Sequence, residues 1–276
     1  MKLISIITSN PIFIKLQYES FKKYMKTPYD YIVFNDGKNF PDFTNNNTPN
    51  KNEITELCKE LNIMCIEIEN ESHRKNKSCS IRHADSLKVV LEYMKENLDE
   101  YLIIDGDMFM IDHLDINKYR KYNCACVLQS RSNIYMWPNL LYINLNKIGN
   151  INDLNLGIKN GDTGSASSEW LLKEEPNVPT PQTIRYSNQQ HTTETFYFIK
   201  HLVSNHWKIN DLPDNLKHKK ELIQFLENDE RNKDDHCFAE IYDNIFFHYR
   251  ASTWYMVKNN KMHTKQIESL MSIVEG

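Results

Sequence analysis

The stretch Tyr101-Leu-Ile-Ile-Asp-Gly-Asp-Met-Phe-Met-Ile111 joins a run of large apolar residues directly to two carboxylates, Asp105 and Asp107, separated only by Gly106. Tyr101 to Ile104 predicts a buried strand, which puts both acids at its carboxyl end. Buried without a partner, they would carry a heavy desolvation penalty. A divalent cation removes it. Mg²⁺ or Mn²⁺ takes carboxylate oxygens together with phosphate oxygens and waters, so a nucleotide diphosphate is the natural third party. Gly106 lets the chain turn tightly and lets a ligand approach the backbone. Apolar residues resume at once after Asp107, so a solvated hairpin tip is the competing reading of the triplet.

A second chemistry-bearing segment is Phe246-Phe-His-Tyr-Arg-Ala-Ser-Thr-Trp254. His248 ends an apolar strand and is a suitable third ligand for Mn²⁺. Arg250, two residues on, would share its face in an extended chain and hold a phosphate in a forked geometry. A partly buried histidine beside a surface arginine is the bland alternative. Ser80-Ile-Arg-His83 opens a helix, where free N–H groups and the dipole favour an anion and Arg82 and His83 add charge; solvated cations on a capped helix would give the same sequence. Gly161-Asp-Thr-Gly164 places Asp162 in a permissive loop, as a sugar contact, a base or an ordinary turn residue. Gln129 and Arg131 lie at the end of another strand. Trp137-Pro138-Asn139 offers either an aromatic platform for a sugar ring or plain core packing.

These residues need elements to carry them, and the first hundred positions alternate strand and helix. Strands are expected over Leu3–Thr8, Tyr31–Phe34, Ile63–Ile68 and Tyr101–Ile104. Helices are expected from Asn10-Pro11 to about Met25, over Glu53–Leu61 and over Ser80–Asn97, the last with Ile81, Ala84, Leu87, Leu91 and Met94 at helical spacing. This rhythm argues for parallel strands with right-handed crossovers, a Rossmann-like half whose ligands sit at the carboxyl ends of its strands. Thr8-Ser9-Asn10, Asn35-Asp36 and Asp105 to Asp107 all fall at such ends. Beyond them, Cys124–Gln129 and Leu140–Leu145 read as strands, 146–181 as loop-rich, Thr192–Val203 and Lys217–Asn228 as helices, Ile241–Tyr249 as one late strand and Thr264–Val274 as a closing helix. No repeat or linker interrupts the chain, so one domain is expected over 1–276.

Composition fits a globular α/β protein: 276 residues, 40% hydrophobic, 15 tyrosines and 12 phenylalanines. A net charge of −4 gives no pull toward nucleic acid, and no run has the length of a membrane span. The six cysteines show no Cys-x-x-Cys spacing, so zinc is not expected and reduced thiols in a cytoplasmic protein are. The amino terminus lacks the apolar length of a signal peptide.

An N-terminal strand–helix half, an Asp-x-Asp about a hundred residues in and a late histidine together resemble the GT-A superfamily of nucleotide-sugar-dependent glycosyltransferases. The resemblance implies an α/β GT-A (Rossmann-like) mixed central sheet flanked by helices, with 1–107 as the nucleotide-binding half and 108–276 as the acceptor-binding half. It implies that Asp105, Asp107 and His248 hold Mn²⁺ or Mg²⁺ on the donor diphosphate. Thr8, Ser9, Asn10, Asn35, Asp36, Arg82, His83, Asp105 and Gly106 would bind the nucleotide sugar, with UDP the leading base. Asp162 and Arg250 are the expected catalytic residues, Asp162 or Glu169 serving as base if the reaction inverts. The acceptor would be a glycan or protein hydroxyl. A non-catalytic carbohydrate- or partner-binding module of the same fold is the alternative. A sugar nucleotidyltransferase ranks below it, because Thr8-Ser9-Asn10-Pro11 stands where such enzymes carry a Gly-rich basic loop.

Overall fold

Side chains that alternate along the first strands feed two opposite faces of one sheet. Leu3, Val33, Leu102 and Ile104 are buried in one apolar cluster, while Ile4, Ile6, Ile32, Phe34 and Ile103 are buried in another. The computed structural model describes residues 1–8, 10–41, 50–76, 78–252 and 260–275. Its strands β1 (Lys2–Ile7), β2 (Asp30–Asn35), β3 (Met64–Glu67) and β4 (Glu100–Ile104) are parallel, in the spatial order β3-β2-β1-β4. The helices α1 (Ile12–Tyr24), α2 (Lys51–Glu60) and α3 (Cys79–Glu96) make the crossovers. Ile14 and Phe21 of α1 pack on one face of the sheet, and Leu87, Val90, Leu91 and Met94 of α3 on the other. The order of strands reverses between β1 and β4, the switch point where such sheets open a crevice.

β6 (Cys124–Ser130), β7 (Ile134–Asn144) and β8 (Phe196–Phe198) extend the sheet beyond β4 to seven strands, with β7 antiparallel to both β4 and β6. The central sheet is therefore mixed and flanked by helices, as the sequence predicts. A second sheet of four antiparallel strands runs β5 (Met108–Met110), β11 (Phe246–His248), β10 (Glu240–Tyr242) and β9 (His201–Leu202). β5 follows the Asp-Gly-Asp turn directly, so this small sheet brings the late histidine back to the early acids. Short helices α4 (Asn117–Arg120), α5 (Ser168–Glu174) and α6 (Pro181–Tyr186) punctuate the middle of the chain, and α7 (Lys220–Asn228) and α8 (Asn260–Glu275) cover the small sheet. Phe109, Phe247, Phe225, Leu226, Leu270 and Ile273 form their shared core.

Two expectations need correction. Thr192–Val203 is not helical but holds β8 and β9, because Thr192, Thr193, Thr195 and the run Phe196-Tyr197-Phe198 suit a pleated surface better than a helix. Ile241–Tyr249 is a hairpin rather than one strand. Asp243 and Asn244, at φ of 54° and 60°, turn the chain between β10 and β11. Among the described residues no helix is long and apolar enough to cross a membrane.

α8 places His263 in the interior at 1% exposure, its Nδ1 3.1 Å from the Tyr249 hydroxyl. Burial, reinforced by the nearby Arg231 charge, pushes its pKa from 6.5 down to about 4. The folded state therefore keeps His263 neutral where the unfolded chain takes up a proton. This stabilisation is intact above pH 6.5 and is lost as pH falls toward 4, by about 3 kcal/mol at the limit. The melting temperature should fall across that window, and less steeply in His263→Phe. Equal slopes in the two proteins would contradict the assignment.

Candidate functional site

β4 ends at Ile104, and the chain turns through Asp105, Gly106 and Asp107 into β5. Gln17, buried on α1, shapes that turn: its Nε2 donates to the carbonyls of Asp105 and Met108, both at 2.8 Å, and its Oε1 accepts from the Tyr31 hydroxyl at 2.5 Å. Replacing Gln17 with alanine takes this donor from the buried Met108 carbonyl, while the Asp105 carbonyl keeps the Met108 N–H at 3.1 Å, so unfolding free energy should drop by about 1–3 kcal/mol in a urea titration. No loss of stability would show that water substitutes there. Gly106 lies in the expected tight turn, closed by the Met108 N–H donating to the Asp105 carbonyl at 3.1 Å, and its lack of a side chain has a second reason. A Cβ at this position would lie 2.5 Å from the Ile6 carbonyl oxygen, so the backbone of β1 excludes any side chain.

The second sheet completes the centre. Opposite Met108 in register, His248 ends β11 and is only 4% exposed. Its Nε2 lies 3.0 Å from Asp107 Oδ1 and 3.6 Å from Asp105 Oδ2, and its Nδ1 lies 3.2 Å from Glu240 Oε2. One potential ligand atom each from Asp105, Asp107 and His248 fall within 4.8 Å of one another. Asp107 is further held by the Ser252 N–H, which donates to Oδ2 at 3.1 Å. Asn139 Nδ2 donates to Asp105 Oδ2 at 2.5 Å, and Asn139 Oδ1 lies 2.8 Å from His83 Nε2.

Electrostatics give this centre a clear demand. Burial and the neighbouring Asp107 charge push the Asp105 carboxyl above its ordinary range. Burial alone would raise Asp107 too, but the His248 charge and hydrogen bond reverse that and hold it at about 2. Burial opposes a charge on His248, yet Asp107, Glu240 and Asp105 raise it to about 10. The carboxyls of Asp105, Asp107 and Glu240 thus crowd around one imidazolium, and a cation bound between the two aspartates would relieve their mutual repulsion. Two carboxylate oxygens and an imidazole are also a donor set suited to Mn²⁺ or Mg²⁺, so the residues present fit such an ion.

Around this centre opens a cavity of about 430 Å³. Thr8 and Asn10 after β1, Asp36 after β2, Arg82 and His83 on α3, Asp162, Arg250 and the Asp105–Asp107 turn with His248 all line it. Positions from both ends of the chain thereby meet in one crevice at the carboxyl ends of the parallel strands. Asn10 also meets the start of α1, its Oδ1 accepting the Ile12 N–H at 3.1 Å. Asp162 is tied to α3 through Ser80, whose hydroxyl donates to it at 2.6 Å, and Arg131 lies 3.5 Å from its other oxygen. Trp137 lines the cavity and stacks on Tyr242 at 5.3 Å.

Other expected positions behave differently. Ser9 lies outside the described residues, as do Thr253 and Trp254. Asn35 does not line the cavity: it is fully buried, donating to the Lys51 carbonyl and Thr55 hydroxyl and accepting the Gly37 N–H. It builds the β2–α2 corner instead. Arg82 reaches the cavity wall, but its Nε and Nη2 donate to the carbonyls of Asn76 and His73, so it anchors the preceding loop. Arg250 does not extend β11. It sits at φ 60° with Ala251 at 54°, and this left-handed turn directs its guanidinium to Glu240, 3.9 Å away, and to the cavity. Glu169 pairs with Lys159 at an exposed position and is absent from the cavity lining.

Sequence reasoning passed over Gln17, Glu240 and the buried partners of Asp36 at the end of β2, and gave Asn139 no role beyond its place beside Trp137. There Lys38 Nζ donates to Asp36 Oδ1 at 2.7 Å and approaches His73 Nδ1 at 3.1 Å, while Asn70 donates to Asp36 at 2.8 Å. The available signal for Asn139 was strand register. Leu140 pairs with Ile104 across β4 and β7, which sets Asn139 beside Asp105.

No protein-family model and no curated protein matches the chain. Solved structures to which it is similar include the galactosyltransferase LgtC in complex with donor and acceptor sugar analogues, at 14% identity over 67% of this chain and 69% of that one, with a TM-score of 0.37. An active-site mutant of LgtC gives 14% identity, with 53% of this chain and 58% of that one covered, so under two thirds of that protein is spanned, at a TM-score of 0.36. The PaToxG glycosyltransferase gives 13% identity over 63% and 69%, with a TM-score of 0.39. At such scores the function has to be read from the residues themselves.

Proposed function

We propose that this chain is a metal-dependent glycosyltransferase that takes its sugar from a nucleoside-diphosphate sugar and passes it to a hydroxyl acceptor on a glycan or protein. The observation that carries this reading is the meeting of Asp105, Asp107 and His248 at the switch point, inside the same cavity as the residues following β1 and β2.

In this reading Asp105, Asp107 and His248 hold Mn²⁺ or Mg²⁺, which when bound neutralises charge developing on the departing diphosphate. The protein's own groups do the rest. Arg250 adds a guanidinium on the same wall for a phosphate oxygen. His83 and Asn139 fix the orientation of the Asp105 carboxylate. Thr8, Asn10 and Asp36 take the nucleoside end, with uridine the leading base. Asp162, steadied by Ser80, meets a sugar or acceptor hydroxyl, and Trp137 offers its ring face. Residues 1–107 then form the donor side of one catalytic domain, and 108–276 supply the acceptor side and the returning histidine. We also propose a cytoplasmic location, where the six free cysteines would stay reduced.

Donor consumption tests it. With Mn²⁺ present, one of the UDP- or GDP-sugars should be cleaved to free nucleoside diphosphate, slowly with water as acceptor. A folded protein that releases no diphosphate from any of them would remove the transferase reading.

A further inference from the structure

A histidine bound to a metal must offer a lone pair on one ring nitrogen, so its proton has to sit on the other. In His248 the nitrogen that faces Asp105 and Asp107 is Nε2, and Nδ1 faces Glu240 Oε2 at 3.2 Å. Backbone register makes this meeting obligatory, because Glu240 lies directly opposite His248 across β10 and β11. Glu240 is itself fixed. Its Oε2 accepts from the Tyr242 hydroxyl at 2.6 Å, and its Oε1 accepts from the Ser204 N–H at 3.2 Å. Tyr242 cannot swing away, since its ring is stacked between Trp137 at 5.3 Å and His201 at 4.7 Å. The carboxylate is 7% exposed.

We infer that Glu240 is a positioning residue for the metal centre: it holds the His248 proton on Nδ1 and aims Nε2 at the cation between Asp105 and Asp107. This inference rests on the metal reading proposed above and adds a fourth residue to it. Carboxylates behind metal-bound histidines orient the ring and raise its basicity, and their loss weakens metal binding by roughly 10–100-fold. Glu240 also stands 3.9 Å from Arg250 Nε, so the same carboxylate links the metal ligand to the cationic side chain on the cavity wall.

The test measures Mn²⁺ alone, without nucleotide, on the full chain by electron paramagnetic resonance. Wild type, Glu240→Gln, Glu240→Ala and His248→Ala are compared for affinity and for pulsed nitrogen modulation, a signature of an imidazole on the ion. Both Glu240 variants should bind Mn²⁺ ~10–100-fold more weakly. Glu240→Ala should also lose the nitrogen modulation as His248→Ala does. The isosteric Glu240→Gln guards against misfolding of the alanine form, and a purely structural role would leave the modulation of whatever ion still binds unchanged. Wild-type affinity and modulation in both Glu240 variants would overturn the inference while leaving the metal site standing. Failure of the wild type to bind Mn²⁺ would overturn both.

Discussion

Asp107→Asn should lower donor turnover about a thousandfold while leaving the fold intact. The expected size is the several kcal/mol by which a cation stabilises a departing diphosphate, at roughly 1.4 kcal/mol per tenfold in rate. Asparagine keeps the shape of the side chain and an oxygen for the Ser252 N–H, which donates at 3.1 Å, but it removes the charge that faces His248 at 3.0 Å. Steady-state kinetics with Mn²⁺ present should show the loss in kcat/KM, with a melting temperature within a few degrees of wild type. A variant that retains wild-type turnover would mean that Asp107 only orders the turn.

Arg231→Met should produce a large loss of stability. Arg231 and Asp229 are completely buried and paired through two bonds of 2.8 and 2.7 Å. The guanidinium stacks 3.7 Å from the Tyr249 ring centre, and its Nη1 donates to the carbonyls of Tyr249 and Arg250. Removing it leaves Asp229 charged in the interior, with Gln266 Nε2 and the backbone N–H of residue 231 still donating to it but no guanidinium to balance its charge. The cost should be about 3–5 kcal/mol, and the double replacement Arg231→Met with Asp229→Leu, apolar at both positions, should recover much of it. Urea unfolding reads both. Because Arg231 holds the carbonyls just after His248, the single variant should weaken Mn²⁺ binding as well. A loss below about 1 kcal/mol would show that the pair contributes no more than an exposed one.

The fold and the grouping of Asp105, Asp107 and His248 were legible for a common reason. β1, β2 and β4 are apolar runs that stop abruptly at polar residues, and the stops are the strand ends where the cavity opens. Asp105, Asp107 and His248 carry their chemistry in their side chains, so residue type alone marks them. Asn35 has the same polar appearance at a strand end, yet it turns inward to satisfy backbone groups around the start of α2, and nothing in its type separates the two fates. Arg82 carries the same ambiguity: its charge suggests an anion, while the carbonyls of Asn76 and His73 accept from it at the cavity wall.

Other features became visible only through pairing. Asn139 and Glu240 meet the site because strand register brings them against Asp105 and His248 from 34 and 8 positions away. The turn at Asp243-Asn244 was the clue to the hairpin that delivers Glu240, and it was masked by the apolar residues on both sides. Gly106 illustrates the limit from another side. Its glycine is required by the Ile6 carbonyl, a contact between β1 and a turn far along the chain.

The most direct measurement is titration calorimetry of the wild-type chain with UDP and GDP, each with Mn²⁺ and again in EDTA. A diphosphate held through a metal at Asp105, Asp107 and His248 predicts that one nucleotide binds with Mn²⁺ present, that chelation abolishes the heat, and that Asp107→Asn abolishes it too. Binding of equal strength in EDTA, or no binding of either nucleotide by the folded protein, would contradict a metal-held diphosphate in this cavity.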